Sequence, residues 1–325
     1  MKPVIGCLGA GRMGRGIAIV FAFAGHQVIV VDFKERDAAA FEALAAEARA
    51  EIRSTLEILS RIDLLPAALV PTLAERITIV PRQEAAAALP RCDVIFEGMP
   101  EILSLKQAAL VEASRLAGEG PIIASTTSTI LVDDLAGSIE HPGRFLNAHW
   151  LNPAYLVPLI ELSPGRLTAP ETTTRMKALL EGIGKVPVVC AARPGFIVPR
   201  IQTLAMNEAA RMVEEGVASA EDIDKAIKYG FGVRFATLGM LEFIDWGGGD
   251  ILHHASGYLV EALGDSRYAA PDVIATNMRE GRIGMKTGQG FMNYEGVDQA
   301  AYREQRLAAF ASALRAMGLA REPVA

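Results

Sequence analysis

Cysteine is scarce in this 325-residue chain: Cys7, Cys92 and Cys190 form no CxxC pair and stand at no ligand spacing from a histidine. Neither a disulfide framework nor a structural zinc site is indicated, and a reducing interior is the expected home. Positive charge is also in short supply. With 32 Lys+Arg against 38 Asp+Glu the formal charge is −6, which rules out nucleic acid held by a generally basic surface. Long apolar runs are missing as well: the most apolar N-terminal stretch, Ile17 to Ala24, falls well short of the ~20 residues that span a bilayer. No cationic leader, apolar core and small-residue cleavage site occur in that order, so a cytoplasmic protein with no membrane partner is expected. What is present is ordinary globular material, 51% hydrophobic and 22% charged. The length suits two domains of about 150 residues each.

The first half alternates short β-branched runs with longer alanine-rich segments of helical period, the pattern of a parallel sheet with crossover helices. Strands are predicted at Val4 to Leu8, Gln27 to Val31, Ile77 to Val80, Val94 to Glu97, Ile122 to Ser125, Phe145 to His149, Leu159 to Leu162 and Val186 to Val189. The segment Ala38 to Glu75 is too long for one crossover and is read as two helices broken near Pro66. After Val189 the period is helical: Gln202 to Glu215, Ala220 to Tyr229, Ile251 to Leu263, Pro271 to Glu280 and Ala301 to Met317, with Ser219 capping the second of these. The fold class is thus α/β, a doubly wound sheet over residues 1–191, followed by an all-α domain over residues 192–325.

Gly9-Ala10-Gly11-Arg12-Met13-Gly14 is a GxGxxG directly after the first strand and at the opening of a helix. The first glycine makes the tight turn, the second admits a pyrophosphate to the backbone, and the third lets helix pack on strand. Phosphates then meet the positive helix end. Asp32 closes the second strand 18 residues beyond Gly14, where a carboxylate bonds ribose hydroxyls and repels a 2′-phosphate. The cofactor expected is NAD. Lys34 and Arg36, just past the acid, are read either as ligands for a 2′-phosphate or as a solvated charged loop.

Two segments at strand ends are not explained by periodicity. Ser125 to Thr129 is a run of hydroxyls, and His149-Trp150-Leu151-Asn152-Pro153 is followed by Glu161 in the apolar run Leu159 to Leu162. A carboxylate among aliphatic strand residues needs a partner, and His149 is the obvious one. An imidazole oriented by a buried carboxylate suits removal of a hydroxyl proton while hydride leaves the same carbon. Ser128 would position the substrate oxygen. His253-His254 lacks a third ligand, so no metal is expected, and Asp245 to Asp250 reads as an interhelical turn whose Trp246 is a weak candidate for the substrate pocket.

Over nearly its whole length the chain resembles the L-3-hydroxyacyl-CoA dehydrogenase family. The segments that carry the likeness are GAGRMG at Gly9, PEILSLK at Pro100, STTST at Ser125, HWLNP at His149, LIEL at Leu159, GFIVPR at Gly195 and GRIGMKTGQGF at Gly281, in the family's order. Ser128 and His149 lie 21 residues apart, His149 and Glu161 twelve. The resemblance implies a Rossmann-like domain, a helical domain that makes a homodimer, a place in fatty acid metabolism, and NAD-dependent oxidation of a secondary alcohol at C3 of a short acyl substrate. It further implies His149 as general base, Glu161 as its orienting acid and Ser128 as partner of the substrate hydroxyl. Asp32, Glu101, Lys106, Asn152 and Lys286 fall on cofactor-contacting positions. Two departures stand out: Pro199 replaces the family's usual asparagine, with Arg200 beside it, and the helix after Asp32 offers only Arg49 and Arg53 where members that use CoA carry lysines. The stretch Asn152 to Leu159 is similar to gulonate and carnitine dehydrogenases, which take free hydroxy acids. A third possibility is a non-catalytic, crystallin-like dinucleotide-binding protein, against which Ser128, His149 and Glu161 argue by being intact.

Overall fold

The computed structural model describes residues 2–321 and 323. The chain forms two compact units, Met1–Ala205 and Met206–Ala325.

In the first unit eight strands make one sheet: β1 (Ile5–Leu8), β2 (Val28–Asp32), β3 (Ile77–Pro81), β4 (Val94–Glu97), β5 (Ile122–Ser125), β6 (Phe145–Trp150), β7 (Leu159–Pro164) and β8 (Val186–Val189). Each lies where the runs of β-branched residues place it, with ends shifted by no more than two residues. Their order is β3-β2-β1-β4-β5-β6-β7-β8, so the chain reverses direction of travel between β1 and β4 and opens a ligand crevice at the strands' C-terminal ends. The helices are α1 (Arg12–Phe23), α2 (Ala38–Arg61), α3 (Val70–Glu75), α4 (Ala85–Ala88), α5 (Leu103–Ala117), α6 (Val132–Ala136) and α7 (Pro170–Gly182). They cover both faces. Ile17, Phe21, Ile52 and Leu56 pack with Ile5 and Val30 on one side, and Leu110, Ala113 and Leu135 with Leu8, Ile95 and Ile123 on the other. This double coverage is why the strands read as continuous apolar runs.

The expectation of a parallel sheet needs one correction. β6 and β7 are antiparallel, because the segment Leu151 to Pro158 returns the chain to the same end of the sheet as a loop and not as a crossover helix. β7 and β8 then pair in parallel through α7.

The second unit is helical. α8 (Val198–Glu214) runs across the boundary between units, followed by α9 (Ala220–Ala226), α10 (Val233–Phe235), α11 (Met240–Gly247), α12 (Gly249–Leu263), α13 (Asp272–Arg279) and α14 (Gln299–Ala316). Ser219 caps α9 as expected, its hydroxyl accepting from Asp222 N at 3.1 Å. Three readings are corrected. The first helix begins four residues earlier, at Val198. The second does not run to Tyr229: it passes into a π-helical segment, Ile227–Gly232, that includes two glycines with low helical propensity. The presumed turn at Asp245 to Asp250 is the end of one helix and the start of the next, broken only at Gly248, whose φ of 106° no other residue adopts easily. No helix of the described residues is long and apolar enough to cross a membrane.

Candidate active site

The glycine turn fits a dinucleotide on three separate grounds. Gly9 has φ 98°, a conformation that favours glycine. A Cβ on Gly14 would lie 2.1 Å from the Gly9 carbonyl oxygen, so only glycine lets α1 approach β1 this closely. A Cβ on Gly11 would meet nothing within 4 Å, and Gly11 caps α1 with no side-chain acceptor. The first amides of α1 are therefore left for an anion from outside. Arg15 braces the turn from below: it is buried, donates from Nε to Ala10 O at 2.7 Å, and pairs with Glu47 and Glu51 of α2. Asp32 ends β2 at 3% exposure, with Arg36 Nε 2.6 Å from its Oδ2.

At the other side of the sheet's switch point, antiparallel register sets His149 of β6 directly opposite Glu161 of β7. His149 Nδ1 lies 2.7 Å from Glu161 Oε2, and both side chains are buried. Glu161 is 0% exposed, which a carboxylate tolerates only when its lone pairs are met. The second oxygen, Oε1, accepts from the amides of Ile197 and Val198 at 2.9 and 2.8 Å, at the start of α8. Glu161 thus does double duty as partner of the imidazole and as cap of a helix. Pro199 falls in the first turn of that helix, where a missing N–H leaves nothing unsatisfied. Gly195 and Phe196, both at positive φ (77° and 42°), turn the chain so that the two amides meet the carboxylate, and the Phe196 ring stands 5.7 Å from that of His149. With the carboxylate ionised, Nδ1 carries the ring proton and Nε2 keeps its lone pair.

The hydroxyl run after β5 is held by Glu101. Its Oε1 accepts from the amides of Ser128 and Thr129 at 3.0 Å, from Thr129 Oγ1 at 2.9 Å, and from Thr127 Oγ1. Burial pushes the Glu101 carboxyl up, but the Thr127 and Thr129 donors and the nearby Lys106 outweigh it and leave the group at about 2. Lys106 is 1% exposed and fully engaged: Nζ donates to both oxygens of Glu97, at 3.0 and 3.2 Å, and to Met99 O at 3.1 Å. Glu97 in turn accepts from Ser125 Oγ at 2.6 Å and Met99 N at 2.6 Å. Asn152 is exposed just past β6. Its loop is pinned by Lys185, whose Nζ donates to Ala154 O and Val157 O at 2.6 and 2.8 Å and is pushed down by burial.

Within the second unit Lys286 pairs with Asp250 at the start of α12, at 2.7 Å. The glycine-rich segment around it wraps Asp245, which accepts from Phe291 N and Met292 N, both at 2.9 Å; a Cβ on Gly290 would lie 2.1 Å from Asp245 Oδ1. Trp246 packs against Tyr302 and under Arg303. No group of three metal-ligating side chains occurs among the described residues.

Sequence reasoning passed over Glu97, Arg15, Phe196 and Lys185. Glu97 was findable: it is a carboxylate at the end of Val94-Ile95-Phe96, the same anomaly that singled out Glu161. The other three carry no comparable local signal.

A glycine turn at a bare helix end, an acid at the end of β2 and a switch point beside β1 define a dinucleotide-binding α/β protein. Comparison with known proteins narrows this. The 3-hydroxyacyl-CoA dehydrogenase NAD binding domain matches residues 4–193, and that family's C-terminal domain matches residues 195–294. The chain belongs to the 3-hydroxyacyl-CoA dehydrogenase family and is an NAD-dependent oxidoreductase acting on a CH–OH group. It is 32% identical to a 5-formyl-3-hydroxy-2-methylpyridine 4-carboxylate 5-dehydrogenase of Mesorhizobium japonicum over 93% of this chain and 94% of that one. It is 30% identical to a 3-hydroxybutyryl-CoA dehydrogenase of Clostridioides difficile, over 88% and 98%. Among solved structures, a 3-hydroxyacyl-CoA dehydrogenase from Archaeoglobus fulgidus superposes with a TM-score of 0.77 at 31% identity, covering 98% of this chain and all of that one.

Proposed function

We propose that this protein oxidises the 3-hydroxyl of a short 3-hydroxyacyl-CoA, with His149 as general base, Glu161 as its orienting acid and Ser128 as partner of the substrate oxygen. One observation carries the reading: a buried imidazole whose Nδ1 is held 2.7 Å from a carboxylate that is itself fixed by two backbone amides. Bound NAD would supply the hydride acceptor. Nε2 takes the hydroxyl proton, and Glu161 stays ionised and stabilises the imidazolium that results. Ser128 reaches the substrate from a turn that Glu101 holds in shape. Gly9, Gly11, Arg12, Met13 and Gly14 would cradle the pyrophosphate and Asp32 the ribose. Asn152 and Lys286 are carried as cofactor contacts by family position, whereas Lys106 acts behind Glu97. The division of labour is residues 1–191 for the cofactor and 192–325 for substrate and dimerisation, in a cytoplasmic homodimer of fatty acid metabolism.

A second reading, oxidation of a free hydroxy acid, is favoured by α2. Near the glycine turn this helix presents Glu47 and Glu51, spent on Arg15, in place of cations for a 3′-phospho-ADP group. The M. japonicum relative also acts, by its name, on a pyridine carboxylate. The test is His149→Gln assayed on both 3-hydroxybutyryl-CoA and a panel of free hydroxy acids. Turnover should fall ~10²–10⁴-fold with NADH affinity unchanged. Full turnover in that variant removes the base assignment, and kcat/KM across the panel decides between the substrates.

A further inference from the structure

Cofactor choice in this fold is made at the end of β2, and here that end carries more than an acid. Asp32 is almost fully buried and one of its oxygens, Oδ2, is taken by Arg36 Nε at 2.6 Å. Oδ1 has no protein partner among the described residues and is left for a ribose hydroxyl. The crevice beside the pair, about 300 Å³, is lined by Gly11, Asp32, Lys34, Arg36 and Gly98, with Arg15 at its edge. The cations around it are not equally available. Arg15 is spent on Ala10 O, Glu47 and Glu51, and Arg82, a short way off, is spent on Glu112 and Glu35. Arg36 is different: among the described residues its one acidic partner is Asp32, the same group that would repel a 2′-phosphate. Lys34 is exposed next to it and makes no ion pair among the described residues.

We propose that Arg36 is a second determinant of cofactor choice: it holds Asp32 in place for NAD and is the ligand a 2′-phosphate would meet once Asp32 is gone, so that refusal of NADP rests on one carboxylate. The physical reason is charge balance. The guanidinium, part-buried over the crevice, has two NH2 groups beyond the Nε–H given to Asp32, a fork that suits a phosphate's oxygens. Replacing Asp32 removes the repulsion and frees the fork in a single step. The converse also holds. Without Arg36 the carboxylate keeps its charge but loses the contact that aims Oδ1.

Binding, which needs no substrate and does not depend on the roles given to His149 or Ser128, is the readout. Dissociation constants for NADH and NADPH from nicotinamide fluorescence, and for ADP-ribose and its 2′-phosphate from calorimetry, are compared in D32S, R36A and D32S/R36A. D32N serves as the isosteric replacement should D32S not fold. In D32S, NADPH should bind about tenfold tighter and NADH about tenfold weaker than in the parent chain, the scale of one charge-assisted contact. R36A alone should weaken NADH a few-fold, and D32S/R36A should lose the NADPH gain. The same pattern with the two ADP-ribose fragments places the effect at the 2′ position. Absence of any NADPH gain in D32S and D32N, or its persistence in D32S/R36A, overturns the proposal.

Discussion

The two units use apolar residues in opposite ways. In the first, β1, β2, β4, β5 and β6 are buried throughout, and the largest side chains, such as Phe21 and Phe96, are sealed within the interior. In the second, α14 and the part of α8 that lies there have no buried residue, while Met206, Ile251, Tyr258 and Leu307 are each more than 60% exposed. A sheet with helices on both faces closes its own core. A set of helices that leaves large apolar side chains facing outward does not, and such side chains cost least where a partner covers them. The homodimer proposed above would supply the missing cover.

Truncations sharpen that contrast. Phe21→Ala removes a ring packed against Phe96 and Trp150 at centroid distances of 5.5 and 6.1 Å, and should cost about 3–5 kcal/mol in urea unfolding. Tyr258→Ala, at 70% exposure, should cost under about 0.5 kcal/mol at high dilution. A Tyr258→Ala penalty that grows with protein concentration would mean that a second copy covers this face; one independent of concentration would break the contrast. The next effect down is catalytic. Glu161→Gln keeps an acceptor for the α8 amides but withdraws the charge facing the imidazolium, and should lower kcat about 10²-fold with little change in thermal midpoint. The smallest is a pH effect in the first unit. Glu101 sits below its ordinary value, at about 2, so its contribution to stability is present above the unfolded carboxylate range and is lost as pH falls toward 2. Unfolding free energies of the parent and Glu101→Gln should therefore differ at pH 7 and converge in acid. A difference that stays constant down to pH 2 would show that the Thr127–Thr129 turn does not depend on the carboxylate's charge.

The first unit was also the more legible. Its strands announce themselves because continuous β-branched runs have no other stable use, and the glycine turn because three positions there tolerate no side chain or need none. His149 and Glu161 stood out as polar groups in apolar strands. The second unit was harder: Gly230 and Gly232 gave no warning of a π-helical segment, and Asp245-Trp246 looked like a loop because three glycines follow it, although only Gly248 breaks the helix.

What the amino-acid order determined on its own was local: strand and helix identity, the phosphate turn, and the presence of a histidine and a carboxylate that each required a partner. Only the folded chain decided how those requirements were met. Antiparallel pairing of β6 with β7 brought two residues twelve positions apart into direct contact, the start of α8 supplied two amides to Glu161, and Glu97 took up the Lys106 ammonium. Register and burial join groups that lie far apart along the chain, and a buried charge takes whichever donors the packing brings within reach.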